Sequence, residues 1–352
     1  MLSALRSEVG AQLKLAAPAV ATFLFNRVVT ISSVMAVGRL GPRALAGAGL
    51  ASTLANVTGF SLLSGMVGAL QTIGGQAFGA GRYDEVGYAY QRALVVLLAT
   101  STLVSGFWLF GTEPLLLALG QEPHIAGDAA RYVMLLVPGQ FCQAVVTASQ
   151  SYLQCQRVFK VSAAASVSCA CAHVGILLLL VDVLGMGYLG AAAATSVYNF
   201  NVMMFHVVYL NAWLRPGRER CTWAGWSAAD ALSGLWPFLR LALPGLLMIS
   251  EWWASEIMIL MAGNLPGPEV QISALSVYQS TNALCFMLPL GVGIAATTRV
   301  ANMLGAGDHR HARFASATAV GLAAAVSTVS GAALLAAGDW WAAAFTADAA
   351  VR

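Results

Sequence analysis

Nine charge-poor, apolar segments of membrane-spanning length divide this chain, near 12–37, 44–70, 93–112, 132–156, 161–181, 183–212, 241–263, 272–298 and 314–338. A bilayer core of ~30 Å takes about 20 residues of helix to cross. Lipid offers no partner to backbone N–H and C=O groups, so only helices or a closed barrel can span it. No alternating strand pattern competes with the long runs, which predicts an all-α, polytopic membrane bundle of nine helices. Composition agrees. Of 352 residues, 59% are hydrophobic and 9% charged, where a soluble chain carries nearer a quarter charged.

The same composition excludes other classes. The formal charge of +3 is spread over short loops, so no basic surface predicts a nucleic-acid partner. The six cysteines form no C-x-x-C pair, and His173 and His206 stand singly without metal-ligand spacing. No nucleophile–base spacing appears in the helices, so neither enzyme nor metalloprotein is predicted, and no cofactor or catalytic residue.

Orientation follows from Lys and Arg. With the N-terminus inside, thirteen collect on the inner side: Arg6, Lys14, Arg82, Arg92, Arg157, Lys160, Arg215, Arg218, Arg220, Arg240, Arg299, Arg310 and Arg313. Arg39, Arg43, Arg131 and Arg352 fall outside, and Arg27 lies within the membrane. This bias predicts a cytoplasmic N-terminus.

An internal repeat at an offset of 226 organises the whole. Leu13-Lys14-Leu15-Ala16-Ala17-Pro18 returns as Leu239-Arg240-Leu241-Ala242-Leu243-Pro244, Gly65 as Gly291, and Gly79-Ala80-Gly81 as Gly305-Ala306-Gly307. A six-helix unit has an even number of crossings, so both copies point the same way, as in transporters that bind substrate between two parallel halves. The expected division is a six-helix lobe over 1–215, a cytoplasmic linker over 216–238 and a second lobe over 239–352 that stops after three helices. An incomplete lobe predicts self-association through its open face.

Two carboxylates, Glu251 and Glu256, lie inside the seventh segment. A charge at bilayer depth costs about 2.5–3.5 kcal/mol or more, so it is read by default as part of an ion or substrate pathway. Counted from Arg240, Glu251 lies roughly 16 Å in and Glu256 roughly 24 Å. The blander alternative is a pair of structural, protonated carboxyls. Under the repeat they align with Phe25 and Thr30, while Arg27 aligns with Trp253. Arg27 either meets an anionic group or snorkels to the headgroups. Asn56 and Asn199 are further polar residues at depth that could face a cavity. Pro18 and Pro244, at equivalent sites, are expected bends and candidate hinges.

Four stretches, SVMAVGRLGPRALAGAGLA (33–51), GALQTIGGQAFGAGRYDEVGYAYQRA (68–93), GLWPFLRLALPGLLMISEWWASEIMILMAGNLP (234–266) and GVGIAATTRVANMLGAGDHRHARFA (291–315), together resemble the multidrug and toxic compound extrusion (MATE) transporters, in particular their plant-like eukaryotic branch. The resemblance implies two six-helix lobes and export of small organic compounds, often cationic, across the plasma or vacuolar membrane in exchange for protons or sodium. It puts Glu251 on the helix-seven acid that eukaryotic members use for cation coupling, and Glu256 on the second acid of that motif. Gln71 stands where many relatives in this branch carry Glu or Asp, and Ser33 where many prokaryotic members carry Asp, which argues against a cation site in the first lobe. The family's further acid on helix ten lies beyond Arg352. A lipid-linked sugar flippase of the same superfamily and a truncated, non-transporting membrane protein remain the alternatives.

Overall fold

The computed structural model describes residues 2–213, 221–223, 225–262 and 268–343. Thirteen α-helices run through them: α1 (Leu2–Gly38), α2 (Pro42–Ala55), α3 (Ser61–Met66), α4 (Gly68–Gly79), α5 (Tyr83–Phe110), α6 (Thr112–Ala118), α7 (Pro123–Cys155), α8 (Lys160–Leu178), α9 (Tyr188–Trp213), α10 (Ala228–Leu232), α11 (Leu235–Ala262), α12 (Pro268–Gly305) and α13 (His309–Ala343). α2, a π-turn at Asn56–Phe60, α3 and α4 form one bent crossing. With α1, α5, α7, α8, α9, α11, α12 and α13 it makes nine long helical segments among the described residues. Seven are long and apolar enough by composition to span a membrane. The exceptions are α9, interrupted by Asn199, Asn201, His206 and Asn211, and α11, apolar over Leu235–Ile249 among the described residues.

Side-chain hydroxyls and amides bond to backbone carbonyls near Pro138 and at the π-turn. Pro138 lies within α7. The flanking carbonyls of Leu135 and Gly139 accept from Ser196 at 2.6 Å and Asn199 at 3.3 Å on α9. At the π-turn, Thr58 donates to Leu54 O at 2.6 Å and accepts from the Trp108 indole at 2.8 Å.

The first half, α1 to α9, carries most of the described core. One cluster joins α2, α5, α7 and α9 around Trp108, Tyr132 and Leu136. Another joins α4, α5 and α7 around Leu70, Tyr90 and Tyr152, and takes in Phe238 and Ala242 from the start of α11. The expected boundary near 239 is thus a packing surface. The segment before α11 is also docked on the first half: Gln91 donates to Gly225 O at 2.7 Å, Arg92 to Asp230 O at 2.9 Å, and Tyr152 pairs with Thr222 at 2.5 Å.

The repeat is visible as geometry. Gly79 abuts the Asn302 carbonyl and Gly305 abuts the Gln76 carbonyl so closely that neither position has room for a Cβ. Positions 79 and 305, and 76 and 302, are each 226 apart. These are one contact repeated by a pseudo-two-fold axis. Likewise Gly65 meets Gly245 and Leu246, while Gly291 meets Ala16 and Val20. Close approach of backbones at small residues is how membrane helices associate without a hydrophobic drive.

Candidate functional site

The two halves meet along these glycine contacts. From Gly79 to Gly65 the seam rises through fourteen residues, roughly 21 Å of helix. At the arginine-rich end it is locked by polar bonds. Glu8 of α1 takes Arg299 of α12 in a two-pronged ion pair at 2.7 and 2.5 Å, with both side chains largely buried. Gln12 donates to the same carboxylate at 3.1 Å and to the Ala315 carbonyl of α13 at 2.8 Å. Asn302, with its amide turned to suit its neighbours, donates to Gly75 O at 2.7 Å and Cys155 O at 3.2 Å and accepts from Arg157 Nε at 3.0 Å. Arg157 reaches it from a turn with φ 63°, uncommon for a non-glycine residue. In the α12–α13 turn, Asp308 is held below the usual carboxylate range by the His311 backbone N–H and imidazole.

Higher up, the Trp253 indole of α11 donates to Ser61 of α3 at 3.3 Å. Beyond that level the first half holds a half-open cavity of about 350 Å3 between α1, α2, α7 and α9. Val29, Ser33, Ser52, Asn56, Tyr132 and Thr195 are among its lining residues. Mostly apolar walls with a few hydroxyl and amide groups suit a small organic guest.

The residues singled out in the sequence are distributed as follows. Asn56 lines the cavity, and Asn199 bonds to the Gly139 carbonyl of α7 beside Pro138. Arg27 does not border the cavity; it is half-buried on α1, one and a half turns from Ser33 and on the face of Ala16 and Val20, with no ion pair or hydrogen bond among the described residues. Pro18 and Pro244 lie inside α1 and α11 beside the glycine contacts. The backbone of α11 runs through Glu251 and Glu256, whose side chains lie outside the described residues. Gln71 bonds to Gln154 within the first half at 3.1 Å. Ser33 faces His173 at 3.2 Å.

Sequence reasoning missed Glu8 and Asp128, both buried. Asp128 of α7 binds Arg43 at 3.0 Å, Arg131 at 2.6 Å and Tyr188 at 3.1 Å at the far end. Their positions near helix ends resemble those of solvated acids, and no local pattern marks a partner 291 residues away. Among the described residues no cluster of His, Cys, Asp and Glu could hold a metal.

A two-half bundle with its seam on repeated glycines matches the MatE family in sequence, over residues 18–181 and 245–352. The chain belongs to the MATE family. This is a family of transporters rather than enzymes. Protein DETOXIFICATION 16 of Arabidopsis thaliana is 37% identical over 349 residues, 98% of this chain and 70% of the relative. Protein DETOXIFICATION 12 of the same plant is 37% identical over 309 residues, 88% of this chain and 63% of the relative. The chain thus spans roughly two thirds of the MATE relatives it matches. The crystal structure of the eukaryotic MATE transporter AtDTX14 aligns at TM-score 0.91 and 30% identity, covering 99% of this chain and 77% of that one. A multidrug resistance MATE transporter solved in an outward-facing conformation aligns at TM-score 0.85 and 18% identity, over 96% and 74%, and shares the fold.

Proposed function

We propose that this chain exports small organic compounds in exchange for protons or sodium ions, by alternating access between its two halves. The observation that carries the reading is the inequality of the two ends. The arginine-rich end is locked across the seam, while the other end holds a cavity with polar groups in an apolar wall. Rocking of parallel halves about such a seam would expose the cavity region to one side at a time. The arginine-rich end is taken as cytoplasmic, following the Lys and Arg bias.

Glu251 is the proposed coupling acid. It precedes Trp253 by two residues, which places it about 200° around α11 from the residue that reaches α3. Its helix position is thus turned from the α3 contact to the face that carries Leu247 and Met248, both exposed. A carboxyl there would gain and lose its proton as the halves rock, and its charge would hold or release a cation.

The experiment is uptake of a fluorescent organic cation into proteoliposomes under an imposed pH gradient. Glu251→Gln keeps size and hydrogen bonding but not titration, and is expected to lower pH-driven uptake at least about tenfold, a barrier change of some 1.4 kcal/mol. Glu256→Gln, nearer the membrane surface, is expected to cost less. Wild-type rates from Glu251→Gln would remove the coupling assignment, and a larger loss from Glu256→Gln would reverse the ranking.

A further inference from the structure

One hydroxyl separates the cavity from a buried imidazole. Ser33 lines the cavity, and His173 of α8 presents Nε2 to its Oγ at 3.2 Å. The ring is fully buried and is flanked edge-on by Tyr198 of α9, with centroids 5.8 Å apart. Its Nδ1 makes no hydrogen bond of normal geometry, although the Ala194 backbone adjoins it. The other intramembrane histidine differs. His206 pairs with Ser162 at 3.0 Å and donates from Nδ1 to Val202 O at 2.8 Å, so both its nitrogens are occupied. His206 has the bonding of a neutral structural ring; at His173 the neutral ring's proton lies on Nδ1 and the Nε2 lone pair faces Ser33.

Among the described residues, the surroundings of His173 supply no carboxylate. Its own helix brings Cys169, and α9 brings Tyr198, whose hydroxyl donates to Asn26 at 2.6 Å. On α1 the nearest charge is Arg27, on the adjoining face. The remaining charged residues of α1 and α8 sit at the arginine-rich end, as Arg6, Glu8, Lys14 and Lys160. Asp182, past the end of α8, is paired with Arg39 at the far end.

We propose that His173 is a proton-binding residue through which pH governs occupancy of the first-half cavity by organic cations; the inference rests on the exporter reading. A proton from the cavity adds to Ser33 Oγ while Ser33 passes its own proton to Nε2. Ser33 ends neutral, and the ring carries two N–H groups and one positive charge. Nε2–H then donates to Ser33, and Nδ1–H has the Ala194 carbonyl as acceptor. A fixed positive charge one hydroxyl behind the wall opposes a cationic guest, and in a low-dielectric site that opposition is strong. Protonation empties the cavity, and deprotonation lets it fill.

The test measures tetraphenylphosphonium binding to the purified full chain at about pH 5.5 and about pH 8, on either side of the ordinary imidazole value. If only the neutral ring admits the cation, affinity falls about tenfold for each pH unit below the imidazole's pKa. His173→Gln should bind with less than about a twofold difference between the two pH values. Ser33→Ala, the milder variant and the readout if His173→Gln does not fold, removes an acceptor for the charged ring and should move the midpoint to lower pH. The inference is overturned if wild-type binding is independent of pH, if His173→Gln keeps the wild-type difference, or if Ser33→Ala leaves the midpoint in place. Failure of the exporter reading would look different: no uptake into proteoliposomes while the pH-dependent binding survives.

Discussion

Glu8–Arg299 and Asp128–Arg43/Arg131 are built from the same groups at opposite ends of the molecule, and they do different things. Asp128 ties α7 to α2 and, through Tyr188, to α9, all within the first half. Glu8 ties α1 to α12 and so crosses between halves. Arg39–Asp182, also at the far end, again stays within the first half. Among the described residues, the ion pair that joins the two halves is thus at the arginine-rich end. Ion pairing at the far end rigidifies one half; at the near end it selects a conformation. A buried acid alone therefore does not mark a gate. What matters is whether its partner moves with it when the halves separate.

The largest expected effect tests that distinction directly. Arg299→Ala leaves Glu8 buried without its partner, which costs about 3–5 kcal/mol when one member of a buried pair is removed. Separation of the halves would return Glu8 to water, so the cost falls on the locked state and shifts the population toward opening at the arginine-rich end. Labelling of a cysteine placed at Ala301, with a thiol reagent from that side, should rise by about tenfold or more. Asp128→Ala should lower the melting temperature without changing that labelling. Equal labelling in the two variants would erase the comparison.

A second prediction probes the glycine contacts. Gly79→Val puts a branched side chain against the Asn302 backbone carbonyl, where no flexible group can yield. Overpacking of this kind costs about 1–3 kcal/mol. The same loss is expected from Gly305→Val, because its obstacle, the Gln76 carbonyl, is the two-fold counterpart. Double electron–electron resonance between spin labels on α4 and α12 should report a wider arginine-rich end in both. A response in only one of them would mean that the two halves are not mechanically equivalent at this crossing.

These two structures differed in how visible they were in the sequence. The glycine crossings were legible because a close backbone approach demands a missing side chain, and the repeat prints that demand twice, at Gly79 and Gly305 and at Gly65 and Gly291. The long apolar helices and the lysine and arginine bias were legible because the bilayer imposes length and charge placement on each segment separately. The cavity was not, since Ser33, Asn56, Tyr132 and Thr195 come from four helices and carry no shared spacing. Asn199 looked the same in sequence as Asn56, yet it bonds to the α7 backbone beside Pro138. Glu8 read as a solvated acid of the first turns, because its burial depends on α12 and α13 arriving beside it.

The smallest expected effect lies where the seam gives way to the cavity. Trp253 bonds to Ser61, whose hydroxyl also donates to the Val57 carbonyl at 3.2 Å and to the Asn56 carbonyl in the π-turn. The Ser61 hydroxyl thus joins the second half to the turn that positions Asn56 in the cavity wall. Ser61→Ala removes one hydrogen bond across the seam, worth about 0.6 kcal/mol on average within membranes. The turn keeps its Thr58 bonds to Leu54 and Trp108, so folding should be little changed. If the lock resides at the arginine-rich end, labelling at Ala301 should rise no more than about threefold, the factor that such an energy allows. A rise matching that of Arg299→Ala would move the lock up the seam to the edge of the cavity.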